Sequence, residues 1–317
     1  MGILENTACI LCTKTTLETV QQLKTEDIST LYKNRLHVEI SEEFKDNETI
    51  NYVKCTSCNL HFFTPICNGS ANFYELLQEK QGFYYNANRY EFFFAKKHIK
   101  ATDKVLEIGA GSGYFASLLN AENYVGLEYN DKAIEDAATR NVTLINQSIQ
   151  DFSKTHKTAF DIACNFQVLE HVPNPNEFIN ASLATLKKGG LLIIGVPSAN
   201  SILTNNKNHV LNFPPHHITR WYNDTCHNFA NIFDVEIVAI HNEPVTEKLY
   251  KNLVSNKITD RVLNLFNPKE HILVNDKRAL KIDGFVRKIV SKLGLSKNIA
   301  KKDQIFGESV ILVLRKK

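Results

Sequence analysis

Nowhere in its 317 residues does the chain carry an apolar run near the roughly 18 that a membrane-crossing helix needs. Met1 to Cys9 also lacks the basic and then apolar regions of a secretory signal. With neither feature present, the expectation is a cytoplasmic protein. A disulfide framework is disfavoured too, because seven cysteines, an odd number without an export signal, point to reduced thiols or metal ligands. No charge of one sign dominates, and the formal net charge is only +3. Its distribution is uneven, however: residues 245–317 hold 17 Lys and Arg against 7 Asp and Glu, or +10, leaving 3 − 10 = −7 for the rest. Hydrophobic content of 43% and charged content of 22% are ordinary for a globular protein long enough to bury a large core.

Against those absences stand two CxxC knuckles, Cys9-Ile-Leu-Cys12 and Cys55-Thr-Ser-Cys58. A tight turn brings both thiolates of such a pair to one side, so two pairs supply four soft donors to one tetrahedral Zn²⁺. A closed set of four cysteines leaves no open coordination position, which predicts a structural zinc ribbon over residues 1–68 with Cys9, Cys12, Cys55 and Cys58 as ligands. Cys67, Cys164 and Cys226 have no partner at ligand spacing and read as packed thiols. An aromatic helical connector, residues 69–102, follows the ribbon.

From Lys104 the chain alternates between apolar runs ("KVLEIG", "YVGLEY", "VTLINQ", "FDIACNFQ", "GLLIIGVP") and helical segments ("YFASLLN", "DKAIEDAATR", "PNEFINASLATLKK"). This pattern predicts an α/β fold with a mostly parallel sheet covered on both faces over residues 103–244. Ligands of such sheets bind at the carboxyl ends of strands, where strand order reverses. "VEIVAIHNEP" and "ESVILVLRKK" read as a closing antiparallel pair, the latter over residues 307–317. Between them lies a basic helical insertion, residues 245–306. In "DGFVRKIVSKLGL" the helical period puts Phe285, Ile289, Val290 and Leu293 on one face. That face can pack on its own domain, on a partner, over the active site or on an anionic membrane surface.

The first strand ends in "VLEIGAGSGYF". Gly109, Gly111 and Gly113 keep side chains away from a ligand there, but the dinucleotide fingerprint GxGxxG fails, because position 114 is tyrosine. The run ExGxGxG resembles motif I of the class I S-adenosylmethionine (SAM) dependent methyltransferases, in which the loop passes under the methionine part of SAM. Glu128 ends the next strand 128 − 107 = 21 residues after Glu107, where a carboxylate can accept both ribose hydroxyls of an adenosine. The resemblance, carried on through "NQSIQDF", "FDIACNFQVLEHVPNP" and "LKKGGLLIIGVPS", implies further SAM contacts. They fall on Tyr85, Glu107, Ala110, Tyr114, Tyr129, Phe166 and Gln167, with Ser148 and Ile149 at the adenine.

The layout is similar to a subgroup in which a zinc ribbon and aromatic connector precede the methyltransferase domain, and which includes sugar C-methyltransferases and enzymes of glycan and natural-product pathways. "YVKCTSCNLHFFTP", "FQVLEHV" and "FPPHHITRW" carry that likeness. The chain departs from the long sugar-methylating members by lacking a second large C-terminal domain. Quinone O-methyltransferases have Glu where Gln167 stands, so a carboxylate-rich Mg²⁺ site at Glu170 and His171 is not expected. His216, His217 and His171 are the candidate proton acceptors. The resulting expectation is methyl transfer to a small-molecule acceptor: a sugar, nucleotide-linked sugar or natural-product precursor. One alternative is a nucleic-acid or protein methyltransferase that grips a polymer with the ribbon and the basic insertion. The fourth strand, however, is followed by "NFQV" instead of a Pro-Pro-aromatic motif, and no Pro-Cys nucleophile is present. The other is a noncatalytic scaffold, against which the intact Glu107, glycine loop and Glu128 stand.

Overall fold

A computed structural model describes residues 7–45, 47–81, 88–119, 121–294 and 306–317. Its N-terminal part holds β1 (Leu17–Lys24), α1 (Thr25–Leu36), β2 (Thr49–Cys55) and β3 (His61–Thr64), with the strands antiparallel. Both CxxC pairs ride on tight turns. The Thr13 amide donates to Cys9 O and the Asn59 amide to Cys55 O, and both residues take left-handed φ values of 63° and 60°. Such reversals are what return two thiols to one side.

Next come α2 (Ala71–Gln81), α3 (Tyr90–Lys96), β4 (Val105–Ile108), β5 (Tyr124–Leu127), α4 (Asp131–Ala138), β6 (Leu144–Ile145), α5 (Ile149–Thr155) and β7 (Phe160–Phe166). The chain continues through α6 (Pro175–Thr185), β8 (Leu186–Pro197), β9 (Thr219–Arg220), α7 (Asn223–His227), α8 (Phe229–Ile232) and β10 (Val235–Pro244), then α9 (Glu247–Leu263), α10 (Asp276–Leu293) and β11 (Phe306–Lys316). Seven strands form one sheet in the order β10-β11-β8-β7-β4-β5-β6, parallel except that β11 runs against both of its neighbours. After β4 the chain adds strands on one side, and from β7 it adds them on the other. The switch point therefore lies between the carboxyl ends of β4 and β7, where the glycine loop and the residues after Phe166 emerge.

Four expectations are corrected. Among the described residues of "YFASLLN", 114–119, there is no α-helix: a 3₁₀ turn, Ala116–Leu118, follows the glycines, and the Ser117 hydroxyl donates to Tyr114 O at 2.7 Å, holding the chain in a turn. The strand expected in "VTLINQ" shrinks to Leu144–Ile145, an edge strand paired on one side only. The N-terminal sheet is not confined to residues 1–68, since β9 pairs with β3 through His61–Arg220 and Phe62–Thr219 and completes it. Cys9, Leu11, Cys55, Cys58 and Phe62 share one buried cluster with Leu106, Leu192 and Trp221, so the knuckles are built into the same core as the large sheet. In α10 the expected apolar face divides. Val290, with Val286, packs against Val254 of α9, while Phe285 (65% exposed), Ile289 and Leu293 point outward among Lys281, Lys288 and Lys292. No described helix is long and apolar enough to cross a membrane.

Candidate functional site: a glycine crevice beside a histidine wall

At the end of β4 the amides of Gly109 and Ala110 both donate to Leu127 O at 2.9 Å, which folds the glycine loop over the end of β5. Gly109, Gly111 and Gly113 have φ of 75°, 53° and 73°, values that L side chains rarely adopt. A Cβ on Gly109 would lie 2.4 Å from a methyl of Val168, so the loop touches the turn that leaves β7. Glu128 closes the other side. Its Oε2 accepts from the Gly111 amide at 2.7 Å, and its Oε1 accepts from the Tyr129 and Asn130 amides at 2.8 and 2.9 Å. A carboxylate has about four lone-pair positions, so Glu128 is already largely engaged by backbone. The ring of Tyr129 beside it is 64% exposed.

Glu107 lies beneath this loop, 2% exposed, and accepts a 2.5 Å hydrogen bond from the Tyr124 hydroxyl. Burial pushes its carboxyl up to about 8, the Tyr124 hydrogen bond opposes that, and the Glu128 charge adds to it. The Arg89 guanidinium favours ionisation of Glu107 and of Glu170 and disfavours protonation of His171, so one cation stands near both sides of the switch point.

Past β7, Gln167 takes a left-handed φ of 58° and a 3₁₀ turn, Leu169–His171, follows. Here His171 meets His216 and His217, which lie just after the cis Pro214–Pro215 bond. Ring centroids are 4.7 Å apart for His171 and His216, 5.0 Å for His171 and His217, and 4.3 Å for His216 and His217. Each Nδ1 faces an oxygen: His216 O at 2.7 Å for His171, Leu211 O at 3.0 Å for His216, and Asn212 Oδ1 at 3.2 Å for His217. A carbonyl accepts, so each Nδ1 carries the hydrogen and each Nε2 keeps its lone pair. Burial drives the imidazoles toward the neutral form, His171 to about 4 and His216 and His217 well below the ordinary value. Oε1 of Glu170 lies 3.7 Å from His171 Nε2 and 3.9 Å from His217 Nε2. This carboxylate is 1% exposed, neither oxygen has a hydrogen-bond partner, and burial raises it to about 8.

The four cysteine sulfurs also gather. Cys9 Sγ lies 3.6 Å from Cys58 Sγ, Cys12 Sγ lies 3.5 Å from Cys55 Sγ, and all four fall within 4.8 Å of one another. A tetrahedron of sulfurs about 2.3 Å from Zn²⁺ has edges near 3.8 Å, so the donor set fits that ion.

The remaining candidates divide. Gly109, Ala110, Gly111, Gly113, Glu107, Glu128 and Tyr129 lie in or beside the loops that leave β4 and β5. Gln167 lies at the end of β7, where its side-chain amide donates to Glu91 Oε1 at 2.9 Å. Tyr114 is corrected: Arg140 covers its ring at 4.5 Å and donates to its hydroxyl, turning it toward α4. Phe166 packs against Phe92 and Phe115, and Ile149 is buried in the main core, so neither side chain lines an open cleft. The Ser148 hydroxyl caps α5 by accepting from the Asp151 amide at 2.9 Å. Tyr85 lies outside the described residues. Sequence reasoning missed Glu91, buried between Gln167 and Ser309, as well as the supporting role of Asn212. Only the adjacency of Asn212 to "PPHH" marked it.

A family model described as a methyltransferase domain matches residues 78–236, half of the chain. The chain belongs to the methyltransferase domain family. Its sheet is the mostly parallel, Rossmann-like sheet of a methyltransferase fold, with the glycine crevice at its switch point. Two ubiquinone biosynthesis O-methyltransferases, from Vibrio atlanticus and Vibrio vulnificus, are each 30% identical over 95 residues, 27% of this chain and 40% of theirs. The chain thus spans about 40% of the length of those curated relatives. A SAM dependent methyltransferase from Archaeoglobus fulgidus aligns structurally with a TM-score of 0.46 at 15% identity, covering 77% of this chain and 100% of that one.

Proposed function

We propose that the protein transfers the methyl group of SAM to a small-molecule acceptor. The observation that carries this reading is the carboxylate of Glu128, 2.7 Å from the Gly111 amide, beside a left-handed glycine loop that packs against Val168. Glycine amides and an adjacent carboxylate suit a ligand with an adenosine at one end and a zwitterionic amino acid at the other. When bound, SAM supplies a methyl group already activated by its positive sulfur. What remains for the chain is to hold, align and exclude water. Glu128 would exchange one backbone partner for the ribose hydroxyls, the exposed Tyr129 ring offers a face for the adenine, and buried Glu107 lies under the cationic end.

The acceptor is assigned to the far side of Val168, against the wall of His171, His216 and His217. Its class follows from the resemblance: a sugar, a nucleotide-linked sugar or a related natural-product precursor. We further assign Zn²⁺ to Cys9, Cys12, Cys55 and Cys58, a closed set whose role is structural.

Calorimetry with SAM tests the reading. Glu128→Ala removes up to two charge-assisted hydrogen bonds to the ribose, about 2–4 kcal/mol, so affinity should fall roughly 30- to 1,000-fold. No binding of SAM by the parent protein would end the proposal.

A further inference from the structure

We propose that His171, His216 and His217 form a second metal site, for a divalent transition-metal ion held by three imidazole nitrogens with the Glu170 carboxylate beside them. It is separate from the four cysteines and differs from a carboxylate-rich Mg²⁺ site in its donors, which are mostly nitrogen.

The case begins with the ligand atoms. Within the cluster one donor nitrogen from each histidine lies within 4.8 Å of the others. All three Nδ1 atoms donate to oxygens of Leu211, Asn212 and His216, an arrangement that fixes the tautomer and ring orientation of metal-binding histidines. Asn212 is itself held, because its side-chain amide donates to Thr204 O. Nitrogens about 2.0–2.1 Å from Zn²⁺ stand near 3.3 Å from one another, so three donors within 4.8 Å of one another can close on one ion, with Glu170 Oε1 3.7 and 3.9 Å from two of those rings as its neighbour.

Glu170 is the second, independent observation. A carboxylate 1% exposed with no hydrogen bond to either oxygen is expensive unless a cation meets it. A divalent ion on the adjoining imidazole nitrogens would bring positive charge beside it. Its placement on the acceptor side rests on the methyl-transfer reading, whereas its existence does not.

The test is metal content of the full chain, purified, exposed to excess Zn²⁺, desalted and measured by plasma mass spectrometry. About two zinc ions per chain are expected. His216→Gln and His217→Gln should each retain about one, the ion at the cysteines, whose presence shows that the variants fold. Glu170→Gln keeps all three imidazoles and should weaken the second site by at least about tenfold. Cobalt gives an independent signature: the cysteine site produces intense thiolate charge transfer, and the histidine site adds ligand-field bands without it. One zinc per wild-type chain, or equal counts in wild type and histidine variants, would overturn the proposal. SAM binding with a single metal ion removes this inference alone, whereas two ions without SAM binding removes the methyl-transfer reading alone.

Discussion

Glu107 shows what a buried carboxyl costs. Its oxygen keeps the Tyr124 hydroxyl at 2.5 Å, but burial still holds the acid near 8 against an ordinary 4.5. A carboxyl raised on folding retains its proton in the native state while the unfolded chain releases it. Its contribution is therefore fully present below 4.5 and declines as pH rises to about 8. Glu107→Gln leaves an amide oxygen for Tyr124 and has nothing to ionise. Relative to wild type, the ligand-free variant should gain thermal stability progressively from pH 4.5 to 8 and level off above. A melting-temperature difference that is flat across that window would rule out this account. Taking the difference isolates Glu107 from Glu170 and Glu243, which burial also raises.

Among the connecting elements, the turn after β4 shows how far local pattern carries. Three alternating glycines marked a place where backbone must be bare, and both the left-handed φ of Gly109 and its contact with Val168 explain why. Gly109→Ala would meet a positive φ and a 2.4 Å clash at once, for a cost on the order of 1–3 kcal/mol. Shrinking the neighbour in Gly109→Ala/Val168→Ala relieves only the clash, so the double variant should recover part of the stability lost. If it recovers none, the contact does not set the loop's position. The same adjacency was invisible in sequence, because Val168 lies 59 residues downstream. Periodicity located β4, β5, β7, β8, β10 and β11, whose apolar runs are long. It overcalled the helix after the glycines and the strand at Leu144, where turn hydrogen bonding and an edge position prevailed. Residue chemistry picked out His171, His216 and His217, yet their convergence depends on a loop folding back by 45 positions. Glu91 and Tyr114 show the limit: which way a side chain leaves the backbone was not encoded in its neighbours.

For the molecule as a whole, the decisive feature is that its two sheets share one interior. Leu11, Cys55, Cys58 and Phe62 pack in the same buried cluster as Leu106, Ile194 and Trp221. The Asn176 side chain on α6 donates to Leu11 O at 2.6 Å, and β9 leaves the large domain to complete the small sheet. A ribbon tethered only by a linker would unfold alone on losing its ion. Here its collapse opens the core beneath β7 and β8, so the proposed zinc at the cysteines should stabilise the entire chain. Metal affinity becomes folding free energy in such a case, and a few kcal/mol lowers the midpoint by on the order of 10 °C. The sole tryptophan, Trp221, is 1% exposed in that shared cluster and reports on it by fluorescence, while circular dichroism follows the helices of the large sheet. Cys55→Ser should lower both transitions together and weaken SAM binding at the same temperature. Two separated transitions, with SAM binding retained after the first, would mean that the ribbon is an appendage.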